Sequence, residues 1–317
     1  MLLIPSKTHD GLNGLPFHPE LITGTALVNP HFPSVTIAEE TELALIDSGA
    51  FQKEDMLRRK TPEDALSRQT RLQVQLSHGR GRTQFVLITY DMLRGVDEAI
   101  EGGKRIKRRG SEETAREAVA ETLKSAAYYA SQRDRLHGAK IAFSAQGATP
   151  RQYVEDCVIP MLDVMRPGDW FAFGGFCIIG KNKSLLPVFV ETVERVLPLL
   201  RARGIERAHI LGVCWHRALI AAAALGRKHG VLMSTDSSAL EIQSVHGKVW
   251  DVAHMAETRT GTPWKHVYSK DQKKAPGGYH PCELALANIA RFHEWSQGLA
   301  DAAPVSRPRQ QELFDAA

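Results

Sequence analysis

The chain has 317 residues, of which 43% are hydrophobic, with a formal net charge of +4 and a pI near 8.8. That length supports one large core, and the mild basic balance permits a phosphate-backbone partner without demanding one. No apolar run reaches the roughly 20 residues of a membrane span and the amino terminus lacks signal-peptide order, so a soluble, cytoplasmic protein is expected.

Residues 1–40 carry scattered Pro, Gly and His and read as an irregular segment, with Thr25–Val28 a candidate first barrel strand. From residue 41 to 297, short apolar runs alternate with helical patterns, the signature of an α/β fold of the (β/α)8 TIM-barrel type in a single domain. The predicted strands are Leu43–Ile46, Phe85–Thr89, Lys140–Ser144, Trp170–Phe173, Ala208–Leu211 and Leu232–Thr235, with an eighth placed around Lys248–Val252. Helices open at Thr61-Pro62-Glu63-Asp64, Ser111-Glu112-Glu113 and Thr149-Pro150, each carrying a capping residue and either a proline or acids in the first turn. A last helix spans roughly Cys282–Trp295, and residues 298–317 read as a flexible tail.

The four cysteines, Cys157, Cys177, Cys214 and Cys282, lack the close pairing of a zinc ribbon or a redox pair, which fits reduced thiols; Cys177 and Cys214 are expected in the core. Lys104, Arg105, Lys107, Arg108 and Arg109 form a basic run, and Lys270, Lys273 and Lys274 a second group; each is either a solvated charged loop or a nucleic-acid contact.

The residues leaving the predicted strands are Asp47, Asp91, Gln146, Gly174-Gly175, Gly212 and Asp236. In a parallel barrel these ends share one face, where barrel enzymes work. Two converging carboxylates suit glycosyl chemistry, one as nucleophile and one as acid or base. Taken singly, Asp47 and Asp91 also suit helix capping, and the glycines suit turns.

In this order the segments resemble the tRNA-guanine transglycosylase superfamily. Asp47-Ser48-Gly49-Ala50-Phe51-Gln52 is similar to its Asp-Ser-Gly-Gly-Phe-Gln, Thr89-Tyr90-Asp91 to its Phe-Asp-Glu, and Ala145-Gln146-Gly147 to its Gln-Gly-Gly. Phe173-Gly174-Gly175-Phe176, Leu211-Gly212-Val213 and Ser234-Thr235-Asp236 are similar to its Gly-Gly-Leu, Met-Gly-Val and Phe-Asp-Cys. The resemblance implies that Asp236 is the nucleophile at C1′ and Asp47 the proton-transfer group. It also implies that Asp91, Gln146, Gly174, Gly175, Phe176 and Gly212 bind the base. Phe51 either stacks on that base or packs in the core.

The family's Cys-x-Cys-x-x-Cys zinc cluster is missing, and no cofactor is expected; His280, Cys282 and His293 are the nearest substitutes for a zinc site. The chain is also shorter than the tRNA-modifying members, and these departures resemble the branch that places 7-deazaguanines in DNA (DpdA). The resemblance then implies exchange of guanine in DNA for a base such as 7-cyano-7-deazaguanine (preQ0), conferring restriction resistance, in a bacterial or phage-infected cell. Exchange in tRNA and a catalytically silent nucleic-acid-binding subunit are the alternatives. Gln310, Leu313 and Phe314 resemble a sliding-clamp docking peptide, or form an ordinary tail. Accessory proteins such as a helicase are further expected partners.

Overall fold

The computed structural model describes residues 1–12, 15–32, 34–49, 61–78, 82–91, 96–101, 104–109, 111–177, 179, 182–258, 262–267 and 281–301. The chain opens with β1 (Leu2–Leu3) and β2 (Ser6–Lys7), turns through a small hairpin of β3 (Gly11–Leu12) and β4 (Leu15–Pro16), and continues as β5 (Thr25–Val28), β6 (Leu43–Ile46) and β7 (Gln84–Ile88). A second hairpin, β8 (Val96–Glu101) and β9 (Lys104–Arg109), precedes β10 (Lys140–Ala145), β11 (Trp170–Phe173), β12 (Arg207–Ile210) and β13 (Leu232–Thr235). β14 (Lys248–Trp250) and β15 (Trp264–His266) form a third hairpin.

One parallel sheet carries the order β1-β13-β12-β11-β10-β7-β6-β5-β2. Its two ends are pieces of the same extended segment. β1 pairs with β13 and β2 with β5, and between them Ile4 N–H donates to Thr235 O while Pro5 O accepts from Leu27 N–H. Residues 2–7 therefore close the sheet into an eight-position barrel, broken at Pro5, which has no N–H to give a ladder. The sequence expectations for both ends need correction. Within residues 1–40, Thr25–Val28 is a barrel strand as expected, but Leu2–Leu3 and Ser6–Lys7 supply a further barrel position, and Lys248–Trp250 lies outside the barrel, paired antiparallel with Trp264–His266. The last helix, Pro281–Asp301, runs past the expected tail boundary at 298.

Alternation along each strand separates two cores. Ile4, Leu27, Leu43, Leu45, Val86, Ile88, Ala142, Trp170 and Ala172 fill the barrel interior. Ala44, Ile46, Leu87, Phe143, Phe171, Phe173, Ile210 and Met233 face the helices. Among those helices, Pro62–Ser77 starts with a capping box in which Asp64 N–H donates to Thr61 Oγ1 and Thr61 N–H to Asp64 Oδ2. From this helix the fully buried Gln69 donates to both Ile46 O (2.9 Å) and Ile88 O (2.8 Å), and it accepts from Tyr129 Oη at 2.6 Å. It thereby ties together the two strands that deliver Asp47 and Asp91. The helix predicted at Thr149-Pro150 includes a π-helical stretch, Gln152–Val158, with Tyr153, Val154 and Cys157 buried as expected. Among the described residues no helix is long and apolar enough to cross a membrane.

Candidate active site at the carboxyl end of the barrel

The same alternation decides what faces the barrel axis. Inward positions run 25, 27, 29 on β5, 43, 45, 47 on β6, 142, 144, 146 on β10 and 170, 172, 174 on β11. On β12 and β13 they fall at 209, 211 and at 234, 236. Extending each inward row past its strand brings Asn29, Asp47, Gly174 and Asp236, together with Asp91 after β7, around one cavity of about 830 Å³.

Asp236 is held through Oδ1, which accepts from Gly212 N–H at 2.8 Å and lies 3.0 Å from His209 Nε2; Oδ2 accepts from Ser6 Oγ at 3.3 Å. Gly212 adopts φ +69°, and a Cβ there would stand 3.0 Å from Cys177 Cβ, so this turn suits glycine twice over. Asp47 Oδ2 accepts from Asn29 Nδ2 at 2.8 Å. Burial raises the Asp47 carboxyl to about 7, aided by the negative charges of Asp236 and Asp91, against lowering by the N–H groups of Ser48 and Gly49.

Asp91 is buried and its carboxyl is raised by desolvation, although Oδ2 accepts from Ser144 Oγ at 3.0 Å and from Gln146 Nε2 in a short contact. Gln146 is itself buried and stands behind Asp91, outside the cavity lining. A Cβ on Gly174 would meet Ala145 O at 2.7 Å and Asp91 Oδ2 at 2.9 Å, and one on Gly175 would meet Gln146 Oε1 at 2.8 Å at φ +79°. Both glycines are thus required by the packing around the Asp91–Gln146 pair.

The expected base-contacting Phe176 is instead fully buried against Tyr153, Phe173's neighbour in the outer core, and against Phe189. Its parity with the inward positions 170, 172 and 174 would aim it at the cavity, but the strand ends at Phe173 and the turn through Gly175, at φ +79°, breaks the alternation. Conversely, Cys177 and Cys214, expected in the core, line the cavity, with burial pushing the Cys214 thiol up to about 11. Cys282 and His293 occupy one helix eleven residues apart, about 16 Å along its axis at 1.5 Å per residue, too far for ligands of one zinc ion. Phe51, Lys270, Lys273, Lys274, His280, Gln310, Leu313 and Phe314 lie outside the described residues. Lys104–Arg109 forms a hairpin strand rather than a loop, its backbone register setting Lys104, Lys107 and Arg108 opposite Glu101, Glu98 and Asp97.

Ser6, Asn29 and His209 were not signalled by any motif. Ser6 sits on a two-residue strand hidden by Pro5, whereas Asn29 directly follows the expected strand Thr25–Val28 and its signal was available. His209 had a usable signal, a polar residue inside the apolar run Ala208–Leu211 at an inward position. Trp215 and Trp264 also line the cavity, half-buried.

No family model matches the chain, and no curated protein sequence matches it. Among solved structures, it is similar to a Coccidioides immitis protein described as a fructose-1,6-biphosphate aldolase (13% identity, 95% of this chain and 92% of that one, TM-score 0.35). It is similar too to the catalytic domain of a GH26 endo-β-1,4-mannanase from Bacillus sp. JAMB-750 (12%, 93% and 85%, TM-score 0.31). A third likeness is to the carboxyl transferase domain of Rhizobium etli pyruvate carboxylase (13%, 98% and 50%, TM-score 0.29). The class is defined by the chain's own strand order: a (β/α)8-type barrel with three carboxylates gathered at its carboxyl end.

Proposed function

We propose that the chain is a base-exchange transglycosylase that replaces guanine in DNA with a 7-deazaguanine such as preQ0. The observation that carries this reading is the unequal treatment of two carboxylates in one cavity. Asp236 Oδ1 accepts from the Gly212 N–H and lies 3.0 Å from His209 Nε2, while Asp47 is raised to about 7 and so exchanges a proton near neutral pH. That division suits a retaining double displacement at C1′.

Asp236 attacks C1′, and guanine leaves with a proton from Asp47. The incoming base then yields its N9 proton to Asp47 as it displaces the carboxylate. Asp91, braced by Ser144 and Gln146, accepts from the guanine N1–H and exocyclic amine, an edge that only a fixed acceptor reads well. The cavity exceeds one base in volume, and Trp215 and Trp264 offer flat apolar surface to an extruded nucleotide and its neighbours. DNA is preferred over tRNA on the segment Ser234-Thr235-Asp236-Ser237-Ser238 and the clamp-like Gln310, Leu313 and Phe314.

The deciding experiment offers radiolabelled guanine and preQ0 with duplex DNA, single-stranded DNA and tRNA, and follows label into polymer. Incorporation into DNA supports the proposal. Label in tRNA alone transfers the same chemistry to the other polymer, and no label in any polymer overturns it.

A further inference from the structure

His209 touches Asp236, yet the exchange scheme leaves it without a task. It lies fully buried on the inner face of β12, Nε2 3.0 Å from Asp236 Oδ1 and Nδ1 2.9 Å from Ser234 Oγ. An ionised carboxylate only accepts, so the first contact places a proton on Nε2. Ser234 is compatible with this: its Oγ lies 2.9 Å from Nδ1 and 3.3 Å from Ala208 O, so its hydroxyl proton can be given to an unprotonated Nδ1. The oxygens of Asp236 are therefore unlike. Oδ1 faces two N–H donors, His209 Nε2 and Gly212 N, whereas Oδ2 meets the longer contact from Ser6 Oγ.

We infer that His209 is a positioning residue that turns Oδ2 toward the sugar and, together with the Gly212 N–H, makes Asp236 a good leaving group in the second half of the exchange. The inference rests on the base-exchange reading. In the first displacement an Oδ2 lone pair forms the bond to C1′; the C1′–N9 bond breaks, its electron pair goes to guanine, and guanine takes a proton from Asp47. The product is an ester in which Oδ1 is a neutral carbonyl oxygen. In the second, N9 of the incoming base bonds to C1′ and gives its proton to Asp47, while the C1′–Oδ2 pair returns to the carboxylate. Charge on Oδ1 disappears in the first step and is restored in the second. Donors to Oδ1 accordingly stabilise the free carboxylate, and the charge growing on it as it departs, more than they stabilise the ester. Without the His209 donor the covalent species is favoured and discharges slowly.

The test compares wild type with His209→Phe, which keeps a flat ring and loses the donor, and with His209→Gln, whose side-chain amide restores one. Labelled oligonucleotide is offered without incoming base, the covalent fraction is read on a denaturing gel, and preQ0 is then added to time discharge. His209→Phe is expected to raise the covalent fraction and slow discharge about 10²-fold, with at least tenfold of that recovered by His209→Gln. Loss of structure alone lowers the covalent fraction, so a fall, or an unchanged fraction with unchanged discharge, overturns the inference. Should His209→Phe not fold, Ser234→Ala takes its place, with a smaller effect of the same sign expected. Imidazole 15N shifts of the wild type give a readout free of turnover: the Nε2–H tautomer, altered by Asp236→Asn, is expected, and an Nδ1–H tautomer overturns the inference. A wild type that forms adduct with neither DNA nor tRNA overturns the base-exchange reading and the leaving-group role with it. Wild-type exchange beside an indifferent His209→Phe overturns the His209 role alone.

Discussion

Asn29 donates Nδ2–H to Asp47 Oδ2 at 2.8 Å, so neighbouring strands deliver a donor and an acid to one point. The Ser48 and Gly49 N–H groups also bond this carboxyl. Because burial and the charges of Asp236 and Asp91 raise Asp47 to about 7, the proton-donating form is populated below that pH and depleted above it. Adduct formation in a single turnover is therefore expected to fall as pH rises through about 7. Asp47→Asn should remove this limb and slow adduct formation by 10²- to 10⁴-fold, the usual contribution of a positioned acid. A single-turnover pH profile of both proteins checks it, and a limb that survives in Asp47→Asn assigns the titration elsewhere.

The same shift has a stability consequence of definite sign. From the ordinary 3.8 up to about 7, folded Asp47 holds a proton that the unfolded chain has released, so stability falls as pH rises across that window. Asp47→Asn lacks the penalty. Denaturant midpoints of the two proteins should move toward the variant's favour between pH 4 and about 7, and parallel curves would contradict the assignment.

Gln69 offers a prediction independent of chemistry. Replacing it with Leu leaves the Ile46 and Ile88 carbonyls and the Tyr129 hydroxyl without their buried partner. At about 1–3 kcal/mol for each orphaned group, a loss of several kcal/mol is expected, with a smaller one for Tyr129→Phe, which orphans Gln69 Oε1 and the Tyr90 N–H but leaves both strand carbonyls paired. Urea unfolding measures both, and equal small losses would show that these strand ends are secured by other contacts.

How much of this was legible in sequence follows from period and parity. β6, β11 and β13 were readable to the residue because each is a short apolar run ended by a polar or glycine residue. Asp47 beyond β6 and Asp236 beyond β13 follow by alternation, whereas Phe176 shares the parity of the inward positions 170, 172 and 174 and is turned outward by the Gly174-Gly175 turn, which parity does not reveal. The amino-terminal closure was opaque because Pro5 divides it into two-residue pieces, neither long enough to show a period. Lys248–Trp250 does form a strand, with Val249 and Trp250 both buried, but nothing local says that its partner is Trp264–His266 instead of the barrel. The Asp91–Gln146 contact, 55 residues apart, depends on adjacency of β7 and β10 across the β8–β9 hairpin.

That pair supports the prediction for base selection. Asp91→Ala removes the acceptor and leaves Gln146 Nε2 without its carboxylate, so guanine should lose its advantage over adenine as competitor, with a raised KM for guanine. Gly174→Ala acts on the same pair from the other side, its added Cβ meeting Ala145 O and Asp91 Oδ2 within 3.0 Å, and is expected to impair base binding by displacing Asp91. Competition assays with the two bases check both; a guanine preference unchanged in Asp91→Ala removes Asp91 from recognition.

Asp236 separates chemistry from binding. Asp236→Ala deletes the proposed nucleophile and also leaves His209 Nε2, Gly212 N and Ser6 Oγ without their acceptor, so a loss of stability is expected beside the loss of exchange. Asp236→Asn keeps the shape but presents an amide that cannot form the glycosyl ester at neutral pH. Both variants are expected to abolish the covalent species while retaining oligonucleotide binding within about threefold of wild type, because nucleic-acid affinity comes in general mainly from phosphate-binding and stacking groups. Gel-shift affinity measured beside the denaturing-gel adduct gives the two quantities separately. Adduct persisting in Asp236→Asn would move the nucleophile to another carboxylate of the cavity, with Asp47 the first to test by the same pair of measurements.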